Sequence, residues 1–157
     1  MMTSLKGKTI ILHDMTLRDG MHARREQISV AQMVKVAQAL DAAGVPLMQV
    51  THGAGLGGNS LQHGRAPHSN EDYISAVAGA VKRAKVSVLL IPGLGTMREL
   101  QSVYGCGARA VHCATHCTEA DTARQHIAFA RKLDMDTAGF LMMAHLNTPE
   151  GIVRQAC

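Results

Sequence analysis

The chain has 157 residues, 46% of them hydrophobic and 18% charged, with a net charge of +4. That length suits one core, the composition excludes a mainly disordered chain, and no apolar run approaches the roughly 18–20 residues that span a bilayer. Basic residues are scattered, with short pairs such as Arg24-Arg25 and Lys82-Arg83, and only two Tyr, two Phe and no Trp could stack on bases, so nucleic-acid binding is set aside.

Residues 9–13 read as a short apolar strand. Ser29 opens a helix, and Gln32 completes its capping box. Val30, Met33, Val34, Ala37 and Leu40 follow at helical spacing, and Gly44 closes the element. Residues 47–50 form the next buried strand, and a Gly-rich loop runs over 52–68. Ser69 caps a second helix, with Glu71 and Asp72 in the first turn, where the helix dipole favours acids. Tyr73, Ile74, Val77 and Val81 make its inner face. Residues 86–91 are a third strand, ended by Pro92-Gly93. Thr96 and Glu99 cap a third helix, whose inner face is Met97, Leu100 and Val103. Residues 109–114 are a fourth strand. Thr118 and Asp121 open a helix that runs to about Leu133, and 137–143 are a fifth strand. Thr148-Pro149-Glu150 starts a further helix, with a capping hydroxyl, Pro in the first turn and then an acid.

Short apolar strands alternating with amphipathic helices predict a parallel sheet covered by helices. Two architectures fit: a doubly wound sheet and a (β/α)8 barrel. No GxGxxG follows a strand, which weighs against a dinucleotide-binding version. A complete barrel needs eight units and about 250 residues. The five strands read here, with a sixth unit begun by the last helix, suggest the front part of a larger domain.

The four cysteines are Cys106, Cys113, Cys117 and Cys157. Cys113-Ala114-Thr115-His116-Cys117 invites a zinc reading, but a closed zinc site wants four ligands and no second pair is spaced for it. Buried free thiols in a reducing compartment are expected instead. Residues 1–8 carry no apolar signal core with a cleavage site, so the expected location is the cytoplasm.

Ligands in parallel α/β folds bind at the carboxyl ends of the strands. Those ends carry His13 to His22, Thr51-His52-Gly53, Thr115-His116 and His145. Each such histidine is open to two readings, a ligand or catalyst and a hydrogen-bonded structural group. His63, His68 and His126 stand in polar contexts and read as solvated. The densest stretch is Thr16-Leu17-Arg18-Asp19-Gly20-Met21-His22. Arg18 offers a fork of donors for a carboxylate or enolate, Asp19 a hard oxygen ligand, and His22 a proton acceptor near neutral pH. Gly20 permits a tight turn that would aim all three into one pocket. The plainer reading is a surface ion pair beside a turn.

Thr16-Leu17-Arg18-Asp19-Gly20 resembles the opening motif of the pyruvate-related aldolase, lyase and acyltransferase barrels. The longer string from His13 to His22 is similar to the 4-hydroxy-2-oxovalerate aldolase family of aromatic meta-cleavage pathways. Leu40-Asp41-Ala42-Ala43-Gly44, Val50-Thr51-His52-Gly53, Gly55-Leu56-Gly57-Gly58, Ala114 to Asp121 and Gly139 to His145 extend the likeness along nearly the whole chain. The resemblance implies an α/β (β/α)8 TIM barrel. Residues 1–157 would be its N-terminal part, supplying about five βα units, with the rest of the barrel and a C-terminal helical region outside them. It implies a lyase that cleaves 4-hydroxy-2-oxopentanoate to pyruvate and acetaldehyde with a divalent metal, manganese or another such as magnesium. By the same resemblance Arg18 would bind the 2-oxo acid and stabilise the enolate. Asp19 would ligate the metal and His22 would be the base. Leu89 would shape the aldehyde end of the pocket. An acylating acetaldehyde dehydrogenase would be the partner that receives the aldehyde.

This chain departs from the family pattern at Gln49, where the family has Glu, and at Ala54, where it has Asp. The family's His-Gly-His metal ligands, a substrate-binding Ser and a late Tyr have no counterpart here. Two other readings therefore stand beside the aldolase: a non-catalytic truncated fragment or assembly subunit, and a related oxo-acid lyase or acyltransferase. The 157-residue chain alone is expected to be inactive. The lysines, Lys6, Lys8, Lys35, Lys82, Lys85 and Lys132, read as residues of the leader, of helices or of helix ends, away from the reactive face, so no Schiff base is expected.

Overall fold

Ser29, Ser69 and Thr96 each accept the backbone N–H three residues on, while Gln32, Asp72 and Glu99 reach back to the cap N–H. These three closed capping boxes start three of the helices where the sequence placed them. The computed structural model describes residues 6–157. In chain order it contains β1 (His13–Asp14), α1 (Thr16–Ala23), α2 (Val30–Ala42), β2 (Leu47–Gln49), α3 (Asn70–Ala80), β3 (Lys85–Leu90), α4 (Met97–Gly105), β4 (Ala110–His116), α5 (Arg124–Lys132), β5 (Asp136–Met142) and α6 (Pro149–Ala156). Short 3-10 turns at Ala120–Ala123 and Ala144–Leu146 complete it.

All four strand pairings are parallel, and the order is β1-β2-β3-β4-β5. A doubly wound sheet reverses its order at a switch point; this one does not. Helices cover one face. Val86, Val88 and Leu90 of β3 and Val111 and Cys113 of β4 join Met33, Ala37, Tyr73, Ile74, Val77, Leu100 and Val103 in one core.

The alternate residues share the other face, because strand side chains alternate and register pairs lie side by side. Gln49 pairs with Ser87, Leu89 with His112, and His112 with Ala138. On that face His13 Nδ1 of β1 lies 3.0 Å from His112 Nε2 of β4. Strands spaced about 4.8 Å apart would hold β1 and β4 roughly 14 Å apart in a flat sheet. The contact therefore requires a sheet curled with its helix-free face concave. Lys85 Nζ of β3 and Asp136 Oδ2 of β5 meet at 2.6 Å across Ala110 in the same way. A curled, sequentially ordered parallel sheet with one helix layer is the arrangement of the first five units of a (β/α)8 barrel.

Several local expectations are corrected. Residues 16–23 form helix α1 rather than a turn, and Gly20 lies inside it without a positive φ. A stretch dense in chemistry, with Gly at its centre, hid a helix whose apolar side is only Leu17 and Met21. The first strand is ladder-bonded only at His13–Asp14, and Ile10, Ile11 and Leu12 are exposed. Thr115 and His116 belong to β4 rather than following it. Val81 leaves α3 in an extended conformation, and Met97, the first residue of α4, is exposed. Lys85 is the first residue of β3, not a helix residue, at the strand end opposite the loops. His126 is buried: Ala123, His126 and Ala130 recur at helical spacing and turn one side inward.

Candidate active site

Asp14 accepts the Thr16 N–H at 2.9 Å and the Thr16 hydroxyl at 3.2 Å, tying the end of β1 to the start of α1. One turn later Arg18, Asp19 and His22 stand at i, i+1 and i+4, so Arg18 and His22 share a face.

Arg18 is 12% exposed in its side chain. Its Nε donates to Gln49 Oε1 at 2.8 Å and its Nη1 to Asp19 Oδ1 at 2.7 Å. Nη2 lies 3.5 Å from the Met15 sulfur. This planar cation is held on two edges, with N–H donors left over for a ligand. Gln49 is fully buried at the end of β2, and its Nε2 has no partner among the described residues. The Ser87 hydroxyl, beside it in register, is likewise unpartnered.

His13 and His112 lie on the same face. Burial, then His112 and Arg18, pull the His13 imidazole down from 6.5 to about 4, against a weaker opposing pull from Asp14. Burial and Arg18 lower His112 as well. Both shifts favour the neutral rings, and one ring can then donate its N–H to the other's lone pair. Leu89 is buried on this face, in register with His112.

A second cluster adjoins the first. The His22 side chain is 52% exposed and its Nδ1 lies 3.2 Å from Oε1 of Glu26, whose side chain is 3% exposed. Glu26 Oε2 accepts the Gly53 N–H at 2.9 Å and lies 3.4 Å from His52 Nε2. His52 is fully engaged: Nδ1 accepts the Ala54 N–H at 3.1 Å, and Nε2 is 3.1 Å from the Gly64 carbonyl. Of its two readings the structural one holds. His116 Nδ1 bonds Thr118 at 2.7 Å, and His145 is exposed in the turn after β5. Cys113 and Cys117 are buried free thiols, and burial pushes Cys113 up to about 11.

Asp19 is 68% exposed, with one oxygen on Arg18 and the other turned from it. Among the described residues no group of three or more His, Cys, Asp or Glu could hold a metal ion. Asp19 offers a single ligand, so these residues do not make a metal site by themselves.

Sequence reading singled out Arg18, Asp19, His22 and Leu89; the structure places the first three on α1 and Leu89 on the concave face of β3. Sequence reading missed Glu26, the Gln49 contact to Arg18 and the His13–His112 pair. Glu26 stands four residues after His22, a spacing that could have flagged it; the other two contacts join distant strands.

A family profile described as HMGL-like matches residues 9–156. The chain belongs to the HMGL-like family. Its HMGL-like relatives include 4-hydroxy-2-oxovalerate aldolase 3 of Azotobacter vinelandii, 77% identical over 97% of this chain and 43% of the relative. A 4-hydroxy-2-oxovalerate aldolase 5 of Dechloromonas aromatica is 76% identical, again over 97% of this chain and 43% of the relative. The chain thus spans less than half the length of these curated relatives. In fold it is similar to the N-terminal domain of a protein described as an aldolase, from Bacteroides vulgatus. The TM-score is 0.64 at 14% identity, covering 88% of this chain and 47% of that one. No helix among the described residues is long and apolar enough to cross a membrane.

Proposed function

We propose that this chain carries the first-strand half of an aldolase site that splits 4-hydroxy-2-oxopentanoate into pyruvate and acetaldehyde, in the catabolism of aromatic compounds. The observation that carries the reading is the partly buried Arg18 guanidinium, fixed by Gln49 and Asp19 on the face of α1 that also presents the half-exposed His22. Arg18 binds the 2-oxo acid and faces the oxygen that becomes negative. His22 takes the 4-hydroxyl proton, the C3–C4 bond breaks to release the aldehyde, and the electron pair collects as an enolate against Arg18. Protonation of that enolate at C3 gives pyruvate. Leu89 lines the aldehyde end. The proposal keeps Asp19 as one ligand of a divalent cation, manganese or magnesium, whose other ligands lie outside the described residues. It also includes a cytoplasmic location, and an acylating acetaldehyde dehydrogenase as partner, testable by co-purification.

The test joins this chain to the remaining C-terminal part of the Azotobacter relative and measures manganese-dependent pyruvate release, coupled to lactate dehydrogenase. Turnover is expected, with losses of roughly 10²–10³-fold in Arg18→Lys and in His22→Ala. A chimera that folds but releases no pyruvate, or keeps its rate in both variants, refutes the reading. The 157-residue chain alone is expected to show no turnover. Covalent labelling of a lysine by borohydride with pyruvate would replace this mechanism with a Schiff base.

One observation favours a second reading, an assembly subunit completed by another chain. The outer edge of β5 has no strand partner among the described residues, and Phe140 on the concave face is 46% exposed. A monomeric, soluble chain by size-exclusion chromatography argues against it.

A further inference from the structure

We propose that Glu26 is the positioning residue of His22: its carboxylate holds the imidazole proton on Nδ1 and leaves Nε2 as the free lone pair facing outward. The inference rests on the aldolase reading only for what Nε2 then does; the arrangement itself is read from the residues.

Four features make this a built device rather than a surface ion pair. First, the partners are unequal. Glu26 is almost wholly buried while His22 is half exposed, so one member is fixed and the other reaches out. A buried carboxylate needs its lone pairs engaged. Gly53 N–H occupies Oε2 and the His52 Nε2–H stands beside the same oxygen, which leaves Oε1 for His22.

Second, the backbone is bent to place it. The Arg25 N–H donates to the His22 carbonyl and the Glu26 N–H to the Met21 carbonyl, a Schellman closure of α1. Arg25 and Glu26 have φ of 51° and 63°, a left-handed conformation that costs non-glycine residues roughly 1 kcal/mol or more each. The chain turns back at this point and returns the Glu26 carboxylate to the His22 ring.

Third, the strand-end loop makes room. A Cβ on Gly53 would lie 2.6 Å from Glu26 Oε1, 2.6 Å from His22 Cε1 and 2.7 Å from His22 Nδ1. Gly53 has no positive φ that would call for glycine, so its missing side chain is a matter of space. Fourth, the supporting hydrogen bonds fix direction. His52 Nδ1 accepts from Ala54, so its proton lies on Nε2 and points at Gly64 and Glu26.

A carboxylate oxygen 3.2 Å from Nδ1 repels a lone pair there and favours the proton on that nitrogen, the electrostatic part of what a carboxylate does for the base of hydrolase triads. The histidine side chain free in water prefers the opposite tautomer, with the proton on Nε2. A base with its proton on Nε2 could not accept the 4-hydroxyl proton there.

The experiment is a long-range ¹H–¹⁵N correlation on the ¹⁵N-labelled 157-residue chain, at a pH where free imidazole is neutral. The His22 signals are assigned by their loss in His22→Asn. His22 is expected with a pyrrole-type Nδ1 and a pyridine-type Nε2. In Glu26→Gln the amide oxygen stays on Gly53 N–H and the NH₂ group faces His22 Nδ1. The tautomer is then expected to reverse while the backbone amide spectrum is kept. A wild-type His22 protonated on Nε2, or a tautomer unchanged in a folded Glu26→Gln, overturns the proposal. If Glu26→Gln does not fold, the wild-type tautomer alone decides. None of these readouts involves turnover. The tautomer as expected, with no pyruvate from the chimera, would sink the aldolase reading and leave the positioning role standing.

Discussion

Acidification should weaken this protein through the His13–His112 pair, and His13→Gln should remove that sensitivity. In the unfolded chain His13 takes up its proton near 6.5; in the folded chain it does so only at about 4. Between those values the unfolded state binds more protons, so stability falls as pH falls through that window. The whole displacement corresponds to roughly 3 kcal/mol. His13 is only half-buried, and solvent screening reduces the expectation to about 1–2 kcal/mol. His112, lowered by burial and by Arg18, acts in the same direction. Urea unfolding at pH 7.5 and at pH 4.5 measures the change. Carboxylates also begin to titrate at the lower pH, but they are common to both proteins and cancel in the comparison. The wild type is expected to lose about 1–2 kcal/mol more than His13→Gln over this interval. Equal losses in the two proteins would show that the folded chain does not bury His13 on the concave face, where it meets His112. The curl inferred from their contact would then fail too.

Gly20→Ala should stabilise the chain by about 0.5–1 kcal/mol, because Gly20 is helical and nothing lies within 4 Å of an added Cβ; a fall in Tm would restore the turn in place of α1. Gly53→Ala should lower Tm by overpacking, at a cost of about 1–3 kcal/mol, and should also displace the His22 ring, read as a shift of its imidazole signals; unchanged signals would deny the close approach. Asp41 accepts the backbone N–H groups of Lys82, Arg83 and Ala84, and these bonds hold its carboxyl below the usual range. Its contribution is complete above the ordinary value of 3.8 and is lost as pH falls through the lowered folded value. Asp41→Asn should therefore unfold at lower urea than the wild type at pH 7, with the gap narrowing as pH falls below 3.8; a constant gap would refute the ionic origin.

The order of strands and helices was legible in the sequence because it rests on local rules. Ser29, Ser69 and Thr96 cap their helices through residues three positions away, and the run 86–91, aliphatic but for Ser87, reads as a strand. Arg18, Asp19 and His22 were legible for a related reason: their chemistry is concentrated within five positions. Local pattern alone left the architecture open, because a doubly wound sheet and a barrel share it; the resemblance of the strand-end motifs is what pointed to the barrel. What separates them is the order in which strands pair and the curl that brings His13 to His112 across two intervening strands. Gln49 on Arg18 and Glu26 on His22 were hidden differently. In sequence Gln49 is a polar residue inside an apolar strand, and Glu26 is one more charge after a basic pair. Their roles depend on burial and on which oxygen is already taken, and a chain acquires those properties only when Gly53 comes to lie against the end of α1.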